Sequence, residues 1–410
     1  MNSLVVIYAI MFFFGIYFLL IFVVLYFRNK EKMDDYPKAT RFPRVSILVP
    51  AYNEEKSISG TINALLELDY PKDKKEIIVI NDGSKDNTSG IIREFMKKHK
   101  EIILLDKKNS GKADSLNQAI KIAKGDFIAV VDADSYPTKD VLKKMIGYFE
   151  NDEKVAAVTS KVWVKNKNNF LERFQDVDYC VIAWSRKILD FIGAVYVTNG
   201  PFSVYRKSLV KEVGGFDPKN MTEDIEITWN LLSRGYKTKM SYSAKVYTIV
   251  PEKVKVWTNQ RVRWNVGGLQ TLYKYRRFFL THGENLFGRF VMSYVSLSFL
   301  LALFGLLLSL RFIYLAISPY LFSLPYFFQG YNPFLFMDFY FAFTILFIWG
   351  ALFFGLSILF HKLALQNTEV KRKNILTIVI YIFVYRPLYM VPFVKSFYRL
   401  IRGDIKWYTK

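Results

Sequence analysis

The sequence predicts a water-facing α/β domain with a Rossmann-like, mainly parallel sheet, joined to transmembrane α-helices. Three observations point there. From Val45 onward, short β-branched runs alternate with longer amphipathic stretches, the pattern of a parallel sheet covered on both faces. Both ends of the 410-residue chain carry long uncharged apolar runs. Polar and acidic residues fall where the predicted strands end, which is where ligands bind in such sheets. Composition narrows the class further. A chain that is 52% hydrophobic is not a disordered one, and a single cysteine, Cys180, excludes a disulfide scaffold. With 57 Lys+Arg against 36 Asp+Glu the net charge is +21. Nucleic-acid binding would need a reader fold or a basic helix with base-contacting spacing, and neither is found. Runs such as 97–100 and 371–373 read instead as solvated faces or contacts with anionic lipid.

The first run, Met1 to Phe27, has no charged side chain and ends at Arg28, Lys30 and Lys32. It exceeds the roughly 20 residues needed to cross the hydrocarbon core. A signal peptide would need a basic start and a small-residue cleavage site, whereas this run starts Asn2-Ser3 and ends Tyr26-Phe27. A retained anchor with its basic flank on the cytoplasmic side is therefore expected. Val291–Leu310 and Phe339–Phe360 read as further spans. Between them, Pro319, Pro325, Gly330 and Pro333 predict an interfacial loop over 312–337. The last apolar stretch, Ile375–Val394, carries Arg386-Pro387 at its middle and predicts a kinked or re-entrant segment, or one facing protein rather than lipid. A full crossing there would put the basic tail outside, so either an extra crossing lies in 312–337 or 375–398 does not span, and the second is favoured.

In the middle, strands are expected at Val45–Val49, Glu76–Ile80, Ile102–Leu105, Phe127–Val131 and Val155–Thr159. Helices are expected near 55–68, 87–99, 112–124 and 139–149. Tyr52 and Glu54 follow the first strand, Asp82 the second, and Asp132-Ala-Asp134 the fourth. A lone carboxylate at a strand end is ordinarily a helix N-cap. Several together form an acidic rim, and two carboxylates two residues apart can be aimed at one Mg2+ or Mn2+ that also binds substrate phosphates. The three histidines (His99, His282, His361) are widely separated, and no phosphate-loop motif is present.

At this point the order of motifs resembles glycosyltransferase family 2, in particular membrane-embedded processive polysaccharide synthases such as poly-N-acetylglucosamine synthase, with hyaluronan, chitin and cellulose synthases more distant. The resemblance runs from about Val45 to Tyr275. It rests on Val49-Pro-Ala-Tyr-Asn-Glu54, Asn81-Asp-Gly-Ser84, Asn109-Ser-Gly-Lys-Ala113, Asp132-Ala-Asp134, Thr222-Glu-Asp224 and Gln260-Arg-Val-Arg-Trp264. It implies a cytoplasmic GT-A domain and a UDP-sugar donor, with UDP-N-acetylglucosamine preferred. Asp82 would hold the uridine, with Tyr52 and Glu54 in the same pocket and Lys112 near the nucleotide. Asp132 would sit by the nucleotide and Asp134 would bind the metal. Glu223 and Asp224 would form the catalytic pair, Asp224 as general base; taken alone, the same residues read as acids in the first turn of a capped helix.

Gln260, Arg263 and Trp264 lie in a basic, aromatic stretch that also reads as an amphipathic helix on anionic lipid. The resemblance adds that Arg263 reaches the diphosphate and Trp264 stacks on the acceptor sugar. Asn199–Arg206 matches a loop near the acceptor, or is a plain turn before a strand. Trp407 near the C-terminus resembles a loop that covers the donor, or belongs to a frayed tail. The expected organisation is a transmembrane helix (1–28), the α/β domain (40–250), amphipathic interface helices with the QxxRW motif (251–288), a C-terminal transmembrane region (289–398) and a cytoplasmic tail with a gating role (399–410). The expected function is inverting transfer to a growing β-linked polysaccharide with coupled translocation at the cell membrane. The alternatives are a non-processive transferase acting on a lipid acceptor, or a non-enzymatic nucleotide-sugar-binding channel or sensor. Expected partners are the UDP-sugar, a glycan or lipid acceptor, the bilayer and an accessory membrane subunit, with no nucleic acid.

Overall fold

The computed structural model describes residues 3–281, 286–330, 345–366, 368–370 and 374–403. The chain divides into two compact units, one of Met1–Val24 with Tyr294–Phe360 and one of Leu25–Ser293 with His361–Lys410.

In chain order the elements are α1 (Ser3–Asn29), β1 (Val45–Ala51), α2 (Ile58–Leu66), β2 (Lys75–Asp82), α3 (Thr88–Lys98), β3 (Ile102–Lys107), α4 (Lys112–Ile122), β4 (Phe127–Val130), β5 (Ser135–Pro137), α5 (Lys143–Ile146), β6 (Val155–Val164) and α6 (Phe170–Asp190). There follow β7 (Ser203–Arg206), α7 (Lys207–Glu212), α8 (Glu223–Ser233), β8 (Lys237–Thr248), α9 (Val254–Lys274), α10 (Met292–Phe327) and α11 (Ile345–Leu365). The C-terminal helical stretch comprises α12 (Ile375–Ile380), a π-helical turn (Tyr381–Tyr385), α13 (Arg386–Leu388) and α14 (Met390–Arg402).

The larger unit is built on one eight-stranded sheet in the order β3-β2-β1-β4-β7-β6-β8-β5. β1 pairs in parallel with β2 and β4, and β2 with β3. Successive residues of β1 serve opposite faces, as the period of two requires. Ile47 and Val49 meet Ile58, Ile62 and Leu65 of α2, while Leu48 faces Leu116 and Ala119 of α4. With both faces buried, the strand reads as an apolar run broken only by Ser46. The sheet is mixed rather than simply parallel. β7 runs antiparallel between β4 and β6, and β5 is an antiparallel edge beside β8. β7 has four residues and β5 three, too few for a periodic signal.

α6 starts in a reciprocal cap. The Asn169 side chain accepts from the Glu172 N–H at 2.9 Å, and the Glu172 carboxylate accepts from the Asn169 N–H at 3.1 Å. This fixes where a 21-residue helix enters the domain and therefore the rotation at which its buried face meets the sheet.

Among the described residues four helices are long and apolar enough to cross a membrane: Val6–Lys32, Phe287–Leu308, Ile348–Leu365 and Ile375–Arg402. In the smaller unit Gly15 lets the Phe353 ring approach α1, since a Cβ there would lie 2.8 Å from it. Phe18 meets Tyr294 edge-on at 5.1 Å. The expected loop over 312–337 is corrected in its first part, because α10 continues to Phe327 through Pro319 and Pro325. A proline removes one backbone bond, and apolar helix-forming neighbours carry the helix past it. Residues 331–344 lie outside the described residues. The C-terminal stretch faces protein on one side: Leu400 packs on Met221, Val262 and Val266.

Asn169→Ala removes half of the α6 cap. The expected outcome is a loss of about 1 kcal/mol, read as a lower thermal midpoint of the full chain in detergent with no change in its helix content.

Candidate active site

The loops that follow β1 and β2 are laced together. Asn53 adopts a left-handed backbone (φ 55°), its N–H donates to Ser84 Oγ at 2.9 Å, and its side chain accepts from the Lys85 N–H at 2.8 Å. Glu54 donates its N–H to Thr88 Oγ1 at 2.9 Å, and its carboxylate accepts from Ser57 Oγ at 2.5 Å. Tyr52 is half-buried beside them. Asp82, at the end of β2, is buried. It accepts from Lys107 Nζ at 2.5 Å and from the N–H groups of Ser110 and Gly111 at 2.9 Å each. Gly83 sits at φ 71°, and a Cβ there would meet the Asn109 backbone nitrogen at 2.7 Å. The 107–111 loop therefore closes over Asp82, using three of the roughly four acceptor positions of a carboxylate.

Lys112 opens α4 directly after Gly111, which has φ 92°. Its Nζ lies 2.6 Å from Asp132 Oδ1 and 2.7 Å from Glu223 Oε1. One ammonium thus joins the start of α4, the end of β4 and the start of α8. Burial works against its charge, but Asp132, Glu223 and Asp224 outweigh that and hold the Lys112 pKa above its ordinary value. The chain at Gly200 passes directly over this pair. A Cβ there would lie 2.6 Å from Asp132 Oδ2 and 2.9 Å from Lys112 Nζ. Asn199 is pinned by donating its N–H to Thr159 Oγ1 at 3.1 Å and its amide to the Ser160 carbonyl at 2.9 Å. Residues 199–202 are accordingly the turn that leads into β7, packed against the Lys112–Asp132 pair.

Asp224 is half-buried in the first turn of α8. The capped-helix reading holds in part: Thr222 is the N-cap residue and Glu223 and Asp224 lie in the first turn of α8, but the Thr222 hydroxyl donates to Asn220 Oδ1 at 3.2 Å and makes no cap bond. Asp224 Oδ1 accepts from the Ile225 N–H at 2.8 Å. Burial, with Glu223 and Asp132 adding to it and Lys112 opposing, pushes the Asp224 carboxyl up to about 6. α9 holds this corner from outside: a Cβ on Gly267 would lie 2.1 Å from Thr222 Oγ1.

Asp134 is half-buried two residues beyond Asp132. On α9, Gln260 accepts from Arg261 Nη1 at 3.3 Å, and Arg263 and Trp264 are half-buried. Tyr179 of α6 stands between the two regions. Burial raises its hydroxyl pKa, Arg261 opposes, and Asp178 and Asp134 add to the rise. Trp407 lies outside the described residues.

Two features escape a linear reading. Arg186 of α6 has its guanidinium pKa lowered by burial, with Tyr196, Asp224 and Tyr179 opposing, so a cation from α6 faces the Asp224 corner. Arg261, inside the quoted Gln260–Trp264 motif, is buried against Asp178 at 3.2 Å. Asp176 and Asp178 sit among apolar neighbours in the buried stripe of α6.

The comparisons accord with this geometry. Residues 46–214 match the family Glycosyl transferase family 2. Poly-beta-1,6-N-acetyl-D-glucosamine synthase of Staphylococcus aureus is 36% identical over 268 residues, covering 65% of this chain and 64% of the relative. The Staphylococcus epidermidis protein of that name is 36% identical over 231 residues, covering 56% of each. The chain thus spans less than two thirds of the length of these relatives. A solved mannosyltransferase from Pyrobaculum calidifontis, in complex with GDP-Man and Mn2+, shares the fold with a TM-score of 0.60 at 21% identity, over 89% of this chain and 99% of that one. The curled mixed sheet is of GT-A type, and residues 46–214 are similar to glycosyltransferase family 2.

Proposed function

We propose that the chain is an inverting, metal-dependent glycosyltransferase that moves a sugar from a UDP-sugar, UDP-N-acetylglucosamine preferred, onto a growing β-linked polysaccharide and passes that chain across its membrane helices. The observation that carries the reading is Asp224. It is a half-buried carboxylate with its pKa pushed up to about 6, next to the Lys112–Asp132–Glu223 network. A general base works best with a pKa near the operating pH. In the proposed step the acceptor hydroxyl oxygen attacks the anomeric carbon, its proton passes to Asp224, and the anomeric carbon–phosphate oxygen bond breaks with its electron pair leaving on UDP. Attack opposite the leaving group inverts the anomeric centre, so an α-linked donor gives a β-linked product.

The remaining residues take roles around that step. Asp82, with Tyr52 and Glu54, holds the uridine; Arg263 reaches the diphosphate and Trp264 stacks on the acceptor sugar. Among the described residues no group of three or more His, Cys, Asp or Glu side chains could hold a metal ion by itself. Asp134, with Asp132 beside it, still fits Mg2+ or Mn2+, which take hard oxygen ligands and complete their shell from substrate phosphates and water. When bound, the metal neutralises charge on the departing diphosphate. The basic flank Arg28, Lys30 and Lys32 supports a domain on the cytoplasmic side of the cell membrane. Identity to the staphylococcal synthases supports N-acetylglucosamine.

The test is purified full chain in lipid nanodiscs, offered UDP-N-acetylglucosamine, UDP-glucose and UDP-galactose separately with Mn2+ or with chelator, following UDP release and product mass together. High-mass product from UDP-N-acetylglucosamine, lost on chelation and restored by Mn2+, is expected. A lipid-soluble monosaccharide adduct instead makes the chain a single-transfer enzyme, and no release from any donor overturns the reading.

The pH dependence has a definite sign. Asp224 accepts a proton only when ionised, so transfer rises with pH through about 6 and levels above it. Asp224→Asn removes the base, and transfer at pH 7.5 falls by ~10²–10⁴-fold while UDP binding by calorimetry is retained. An Asp224→Asn enzyme that keeps wild-type turnover and the same acid limb contradicts the assignment.

A further inference from the structure

We propose that the buried Asp178–Arg261 pair, tied to Tyr381 and Tyr389, is a positioning device through which the C-terminal helical stretch sets the pose of Trp264. The inference rests on the acceptor-stacking role proposed for Trp264 and adds how that ring is held.

The residues come from three distant parts of the chain. Asp178 on α6 and Arg261 on α9 are both buried, at 2% and 1% exposure. Asp178 Oδ2 accepts from Arg261 Nη2 at 3.2 Å and from the Tyr389 hydroxyl, and its Oδ1 accepts from the Tyr381 hydroxyl at 2.8 Å. Between the two tyrosines, Tyr385 accepts from Trp257 Nε1 at 3.1 Å. Tyr389 meets the Trp257 ring edge-on at 5.2 Å. The guanidinium held in this way lies 3.9 Å from the centroid of the Trp264 ring, three residues further along α9 and so on the same helix face.

Stability alone does not account for this arrangement. A buried ion pair is often no better than well-packed apolar residues of the same volume, because desolvating two charges offsets their attraction. Apolar side chains could join three helices at less cost. What the pair adds is directionality: Asp178 accepts from a guanidinium whose central carbon lies 3.9 Å from the Trp264 ring centroid.

The backbone of the C-terminal stretch is shaped to the same end. Tyr381, Tyr385 and Tyr389 are spaced four residues apart. Four residues of α-helix advance slightly more than one turn, and four of π-helix slightly less. The π turn at Tyr381–Tyr385 followed by α-helical geometry cancels the drift, so the three rings stay in register, with centroids 5.3 and 5.5 Å apart. Such π turns are rare and frequently mark functional sites.

Asp178, Arg261, Tyr381 and Tyr389 lie outside the Lys112–Asp132–Glu223 network, so their loss acts on the acceptor side. The test uses the full chain in nanodiscs with Tyr389→Phe and Tyr381→Phe, each losing one hydroxyl, and Asp178→Asn. Trp264→Ala and the Tyr389→Phe/Trp264→Ala double variant complete the set. Kinetics with a short N-acetylglucosamine oligomer as acceptor should show the acceptor KM raised about tenfold, the effect of one buried hydrogen bond, with the donor KM unchanged. In the Trp264→Ala background Tyr389→Phe should add nothing. Amide exchange should speed up over residues 257–266 in Tyr389→Phe and stay unchanged over 223–233. Donor and acceptor KM rising together, effects that multiply in the double variant, or exchange over 257–266 that matches wild type would each overturn the proposal. A wild-type chain that transfers no sugar removes the function proposed above, and the exchange result then still decides whether the C-terminal stretch controls α9.

Discussion

Everything at the candidate site turns on one ammonium group between carboxylates. Lys112 is held 2.6 Å from Asp132 and 2.7 Å from Glu223, distances at which hydrogen bond and charge act together and each contact is about twice as strong as a neutral one. The carboxylates it joins come from the end of β4 and the start of α8, nearly a hundred residues apart. Without it, Asp132, Glu223 and Asp224 would share one poorly hydrated corner as like charges. With it, two are fixed as acceptors and the third is left with a raised pKa, the difference a base needs.

Steric constraints keep that corner in place. Gly200 brings backbone against the Asp132–Lys112 pair, and Gly267 lets α9 lie on Thr222, two residues before Asp224. Thr228 Oγ1 donates to the Asp224 carbonyl at 2.6 Å and accepts from the Thr198 N–H at 3.0 Å, tying the 198–200 segment to α8. At both glycines a methyl group would displace charged or backbone-anchored atoms, so the site is packed from outside as tightly as it is bonded within.

The sheet was legible in the sequence where burial on both faces made apolar runs continuous, as in β1 and β2. Asp82 and Asp132 were legible because a polar residue at the end of such a run has few ordinary explanations. β5 and β7 were not, being shorter than any periodic signal, and the antiparallel insertion of β7 followed from tertiary pairing alone. Pro319 and Pro325 read as breakers, yet α10 runs through both, since an apolar helix tolerates the loss of single backbone bonds. Asp178 and Arg261 are 83 positions apart. Each looks like a surface charge on an amphipathic helix, and only the fold shows that they neutralise one another. Thr222 was legible as the N-cap residue of α8, whereas the turn of its hydroxyl toward Asn220 was not.

In the proposed step Asp224 deprotonates an acceptor, which then displaces UDP directly. The stereochemistry of the product tests this without reference to any variant. Product made from α-linked UDP-N-acetylglucosamine should show only β-anomeric proton couplings by NMR, from the earliest time points. α-Linked product would mean that the configuration is retained, which direct displacement assisted by Asp224 cannot give.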